Sequence, residues 1–142
     1  MEFWLKSVGA ARSPLEDEWL RESAELAVRV HFPKNARPLG IAAGDRFLLY
    51  GVTRVGGRLI GAGRFDSTFF EDRGEDRQLE DAEQWPWRID ITVLLAIWHA
   101  QSGPTLEAIG VPGTKIRRRS HIRISEEAYL AGVDALADLA RP

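Results

Sequence analysis

Two adjacent glycines, Gly56 and Gly57, stand between two strand-like runs, 46–55 and 58–65, and nothing else in the chain constrains its fold as tightly. Glycine takes positive φ without the steric cost that a Cβ imposes. A two-residue hairpin turn demands that conformation, so the pair predicts an antiparallel hairpin turning at 56–57. On the second arm Gly61 and Gly63 share a face. Glycines at alternate strand positions admit close backbone approach, or the bend that closes a small barrel; accommodating large neighbours is the plainer alternative.

The other elements are read outward from this hairpin. Residues 3–8 form a first strand ended by Gly9, with Phe3, Leu5 and Ser7 on one side and Trp4, Lys6 and Val8 on the other. Ser13 before Pro14 has the pattern of an N-cap and a first-turn proline. Glu16, Asp17 and Glu18 suit the positive end of a helix dipole, so a short helix is expected there, with Leu15, Trp19 and Leu20 on its apolar stripe. Residues 26–32 alternate as a brief strand, and 33–44, with two prolines and two glycines, form an irregular connection. Eight carboxylates against Arg73 and Arg77 fill 66–83, and 66–84 reads as a long mobile loop. Ile89, Ile91 and Val93 alternate before a continuous apolar run, which makes 88–98 the expected central strand. Residues 101–114 hold at most one helical turn, around 106–109. Ile116, Ile122 and Ile124 mark a strand through a basic run, and Ser125 begins a final helix whose inner stripe is Tyr129, Val133, Leu136 and Ala140. Five or six mostly antiparallel strands with flanking helices predict a single α+β domain, 1–142, whose sheet curls into a small open barrel. Strands and helices do not alternate, which argues against a doubly wound parallel sheet.

Composition removes several chemistries. With no cysteine in 142 residues, disulfides, thiolate metal sites and thiol nucleophiles are excluded. His31, His99 and His121 are far apart and lack acidic partners at helical spacing, so no metal is expected; no nucleotide-binding or nucleophile-elbow motif occurs, so no cofactor is expected. The absence of a basic leader and of a membrane-length apolar stretch predicts a cytoplasmic protein without a membrane partner. A formal net charge of −2 argues against a nonspecific nucleic-acid coat. Local charge differs: Lys115, Arg117, Arg118, Arg119 and Arg123 lie within nine residues free of acids. Such a run suits phosphate contacts, with a solvated strand face as the plainer alternative.

Five tryptophans are many for this length. Trp19 and Trp98 read as core. Trp4, Trp85 and Trp87 stand at a strand start or beside the acidic segment, where indole faces can stack on a nucleobase or serve the core equally well. Trp85 and Trp87, two residues apart, share a face if the segment is extended.

The segments Phe3-Trp4-Leu5-Lys6-Ser7, 44–50, Trp85-Pro86-Trp87-Arg88-Ile89 and Arg117-Arg118-Arg119-Ser120-His121-Ile122-Arg123-Ile124-Ser125, followed by Glu127 and Tyr129, resemble the EVE domain family in order and spacing over nearly the whole chain. That family belongs to the PUA-like superfamily of small pseudo-barrels, related to YTH and ASCH domains. The resemblance implies a pocket for a modified base in DNA or RNA. It would draw on Trp4, Lys6, Ser7, Asn35, Tyr50 and Gly51, with Trp85, Trp87, Arg119 and Ser120 rimming or supporting it. Asn35 can both donate to and accept from a base edge, or simply close a turn. Two departures stand out. The Trp-x-Gly-Val motif found ahead of the asparagine in many members is replaced by Arg29-Val30-His31-Phe32. The ASCH signature Gly-x-Lys-x-x-Glu-x-Arg is broken by Arg118, which stands where its glutamate belongs.

A non-enzymatic reader of a modified nucleobase is therefore the leading expectation. A small nucleotide or RNA hydrolase using Lys6, Lys115, Asp45 or Asp66 is the alternative from another class. A third reading makes Trp85-Pro86-Trp87 a surface for a second copy or a partner protein.

Overall fold

In the computed structural model, which describes residues 1–73 and 77–140, seven strands form one mixed sheet curled into a half-barrel. They are β1 (Phe3–Val8), β2 (Arg29–Phe32), β3 (Arg46–Thr53), β4 (Gly56–Phe65), β5 (Phe70–Glu71), β6 (Trp87–Ala96) and β7 (His121–Ile124). Their order is β2-β6-β4-β3-β1-β7, with β5 also paired to β6. Only β1 and β3 run parallel; every other pairing is antiparallel. The strand beyond the six expected is the two-residue β5.

The central hairpin forms between β3 and β4, but it turns at Arg54 and Val55, ahead of the glycines, so that Thr53 pairs with Gly56. The Thr53 hydroxyl donates to the Gly56 carbonyl at 2.6 Å and accepts the Val55 N–H at 3.2 Å, closing the turn with a side chain. Gly56 alone supplies positive φ, +108°. Gly57 serves packing instead: a Cβ there would overlap the Tyr50 ring and hydroxyl. Register shifts at Leu49/Tyr50 and Ala62/Gly63 bend the two strands. At Gly63 a Cβ would overlap the Thr92 carbonyl and the Phe47 ring, so close backbone approach is its role.

Leu5, Phe47, Leu48, Leu49, Ile60, Phe65 and Ile89 are fully buried between the sheet and the elements that cover it. The principal cover is α3 (Glu126–Ala140), which packs on β3, β4 and β6. The Ser125 hydroxyl accepts the Ala128 N–H at 3.1 Å, the expected cap. Tyr129 and Leu136 bury the inner face, Val133 half-buries, and Ala140 is exposed. Gly132 lies so close to Leu48 that a side chain there would collide with it.

Several expectations are corrected. The first helix is the single turn α1 (Trp19–Glu22), followed by a 3₁₀ turn at Ala24–Ala27; it does not begin at Ser13. Asp17 is engaged elsewhere, with the His99 ring at 2.7 Å and the Gln101 N–H at 2.9 Å. Segment 66–84 is not one long loop, because it holds β5 and α2 (Leu79–Gln84), a helix too short for a hydrophobic period to show. The centre of the sheet is β3 and β4, whereas β6 lies between them and β2. Within the apolar run of β6, Leu94 is 53% exposed, and Trp98 beyond it is also 53% exposed rather than in the core. Trp19 is buried as expected, its indole N–H on the Ile97 carbonyl at 2.9 Å. Residues 101–114 contain a 3₁₀ turn at Glu107–Ile109 and parts of two others, Ala100–Ser102 and Gly113–Lys115. The basic run is largely a turn, since β7 starts only at His121. Among the described residues no helix is long and apolar enough to cross a membrane.

Candidate functional site

Between the end of β1, the mid-hairpin, the α2 segment and the basic turn lies a cleft of about 1290 Å³. Its floor gathers at the C-terminal end of β1. Lys6 and Ser7 come from β1 and Tyr50 from the paired position on β3 beside Ser7, while Ser120 is tied to Ser7 by its carbonyl, which accepts the Ser7 N–H at 2.9 Å. One wall is Trp85, the residue that ends α2 and is 39% exposed. The rim is Arg117, Arg118 and Arg119, exposed, with no carboxylate within ion-pair distance among the described residues. Arg118 holds φ at +61°, left-handed backbone that a non-glycine residue adopts only when its surroundings impose it.

Lys6 is the chemical centre of this floor. It is 2% exposed, and its ammonium donates to the Ser7 carbonyl at 2.7 Å and the Ser120 hydroxyl at 3.3 Å while lying 4.7 Å from the centre of the Phe32 ring. Burial without a counter-charge pulls its pKa down to about 7. Across the β1–β7 pairing His121 faces it, lowered to about 4 by its own burial and then by the Lys6 charge. On another wall His31 meets Asp72 at 2.7 Å, with Arg77 and Arg88 also near that carboxylate. Burial holds His31 below its ordinary pKa against the opposing pull of Asp72.

Of the expected pocket residues, Lys6, Ser7, Tyr50, Trp85 and Ser120 line the cleft, and of the expected phosphate contacts so do Arg117, Arg118 and Arg119. The others do not. Trp4 is 6% exposed, and its indole N–H donates to Asp45 at 3.0 Å. Gly51 faces Leu15 and Ile60 within the core. Asn35 is exposed on the connection after β2. Trp87 packs on Phe69 with the Arg37 guanidinium over it, so it shares no face with Trp85, because the strand begins only after that residue. Lys115 and Arg123 line a separate hollow with Trp4 and His121.

The hydrolase candidates fare differently from one another. Asp45 is 4% exposed, and its carboxylate accepts N–H groups from Glu2, Trp4 and Ala42, each at 3.0 Å. Burial alone would raise its pKa, but these hydrogen bonds hold it below the carboxylate norm, as suits a structural latch. Asp66 binds Arg64 at 2.9 Å and Thr92 at 2.7 Å away from the cleft. Among the described residues no group of His, Asp and Glu side chains is arranged to hold a metal ion. Sequence reading missed His31, Arg77, Asp81, Glu22 and Glu25, which also line the cleft. None carries a local signal, since they come from four separate places, α1, the 3₁₀ turn after it, β2 and the α2 segment, that only the fold brings together.

This architecture defines a class first: it is a fold shared with solved structures, human THYN1 among them. No family model matches the sequence, and no curated protein does. Solved structures match the fold over almost the full length. A hypothetical protein from Leishmania major is 14% identical with a TM-score of 0.62, covering 99% of this chain and 98% of that one. Protein Rpa0253 from Rhodopseudomonas palustris is 14% identical with a TM-score of 0.59, covering 99% and 97%. Human THYN1, solved in complex with 5-methylcytosine-containing DNA, is 11% identical with a TM-score of 0.55, covering 100% and 99%.

Proposed function

We propose that this protein binds nucleic acid and reads one modified nucleobase, of the 5-methylcytosine kind, inserted into the cleft. The observation that carries the reading is the convergence of an exposed indole, Trp85, with the buried polar floor Lys6, Ser7 and Ser120 beneath an arginine rim that has no ion-pair partner among the described residues. Each part has a matching task. An aromatic face stacks on a base, worth about 1–3 kcal/mol. The Lys6 ammonium and the Ser120 hydroxyl present polar groups to a base edge. Arg117, Arg118 and Arg119 neutralise phosphates and position the strand without reading sequence. The DNA-bound human relative of the same fold supports the same partner class.

The cleft also carries Glu16, Glu22, Glu25 and Asp81, a lining that repels a closely apposed second strand and favours an extruded or single-stranded nucleotide. The test is a low-salt titration, followed by fluorescence anisotropy, with matched labelled oligonucleotides whose central cytosine is plain or 5-methylated. Tighter binding of the methylated strand is expected, with Trp85→Ala weakening it about 10-fold, within the stacking range above. Equal affinity for both strands, or an unchanged Trp85→Ala variant, overturns the reading.

A further inference from the structure

Beside the cleft lies a second concavity of about 580 Å³, lined by Trp4, Thr114, Lys115, Arg119, His121, Ile122 and Arg123. We propose that this hollow is a phosphodiester subsite, holding the backbone of the strand whose neighbouring base occupies the cleft. The inference rests on the nucleic-acid reading of the cleft and adds to it the path of the strand.

Three observations carry it. Arg119 lines both concavities, so one guanidinium stands at their junction and an anion bound beside it is within reach of both. Among the described residues the hollow is lined by three cationic side chains and no carboxylate, unlike the cleft, whose lining mixes both signs. That is the charge expected of a place that receives phosphate rather than base. Arg123 is also held in position beforehand: its guanidinium lies 5.2 Å from the centre of the Trp4 ring, beside Gly40, where a Cβ would stand 3.5 Å from its Nη2. A guanidinium fixed by stacking loses less freedom when an anion arrives.

His121 supplies an independent pointer. Its ring lines the hollow, and its Nδ1 is buried with no hydrogen-bond partner among the described residues. A buried polar atom left unpaired costs stability, and such atoms are normally satisfied by something bound. A single water beside the ring would serve that atom in either tautomer and link it to an anion held by the neighbouring cations. The partly exposed imidazole and the three cations thus close around a tetrahedral anion rather than an apolar group.

The test compares three probes on the full chain: 5-methyldeoxycytidine monophosphate, a trinucleotide placing that base between two thymidines, and inorganic phosphate. The trinucleotide is expected to bind at least 10-fold more tightly than the mononucleotide. In a Lys115→Gln/Arg123→Gln variant, whose folding is checked by its thermal melt, that ratio should collapse toward one. The dependence of log K on log salt should also flatten, by about 0.7 for each phosphate contact removed. Inorganic phosphate separates a strand's backbone from a free anion: if it binds the hollow as tightly as the trinucleotide, the strand path is wrong. An undiminished ratio in the variant overturns the subsite. Trinucleotide binding that needs Lys115 and Arg123 but is indifferent to Trp85→Ala keeps the subsite and overturns the base-reading cleft. Failure of every nucleotide to bind overturns both.

Discussion

Burial takes the Lys6 ammonium out of water with no carboxylate within ion-pair distance among the described residues, and its pKa falls from the usual 10.5 to about 7. Between those values the unfolded chain holds a proton that the folded chain releases. Folding stability therefore rises with pH across that window, and the full penalty sits below pH 7. Lys6→Met is expected to be more stable than the parent at pH 6, by an amount on the order of a few kcal/mol, with the advantage fading toward pH 10. Denaturant melts over that range read it, and a pH-independent difference would contradict it. His121 works in the same direction over a lower window. Its pKa is depressed to about 4, so stability is lost as pH falls from 6.5 toward 4. Removing the Lys6 charge should raise the His121 pKa, which an NMR titration of the imidazole measures directly. At this scale Lys6, Ser7 and Ser120 were legible through the family resemblance of the short segments that contain them. Trp4 was not: its burial is explained by a hydrogen bond to Asp45, 41 residues away, which no local pattern announces.

Among the elements, the bend of the sheet depends on positions where backbone passes close to backbone. At Gly63 a Cβ would overlap the Thr92 carbonyl of β6, and a carbonyl in a paired strand cannot swing aside as a flexible side chain can. Gly63→Ala is expected to cost about 3 kcal/mol, the upper end of ordinary overpacking, and to lower the thermal midpoint measurably. A midpoint unchanged within error would show that the bulge at Ala62/Gly63 has room to relax. The hairpin, the first strand and the final helix were legible because periodicity and capping are local and these elements exceed one turn or five residues. The hairpin's exact turn was not, because the Thr53 hydroxyl competes with glycine for the same corner. Short elements were the hardest to read: β5 and α2 escaped, and α1 was expected but with too early a start, because so few residues cannot show a period.

Across the whole molecule, a net charge of −2 conceals a cleft in which both signs meet. The arginine turn, Arg117 to Arg119, contributes cations, while Glu22 on α1 and Glu25 in the following 3₁₀ turn contribute exposed carboxylates. The sequence disclosed the cations as a run, whereas the acids reach the cleft only because the chain folds them there. On the proposed reading, a polynucleotide drawn in by the arginines approaches these carboxylates, so they oppose its backbone whatever base it carries. Glu22→Gln/Glu25→Gln is accordingly expected to tighten oligonucleotide binding about threefold at 0.05 M salt, equally for methylated and plain strands. The gain should disappear near 1 M salt, where the screening length falls to about 3 Å. Affinity titrations at the two salt concentrations decide it. A gain confined to the methylated strand would place these carboxylates at the base edge, whereas a gain surviving high salt would mean that something other than long-range repulsion had been removed. If the cleft reads a base as proposed, the arginines and the glutamates act on the same phosphates with opposite sign, and discrimination between bases falls to the uncharged stacking face of Trp85 and the buried floor around Lys6. Salt should therefore change how tightly the protein binds far more than which strand it prefers.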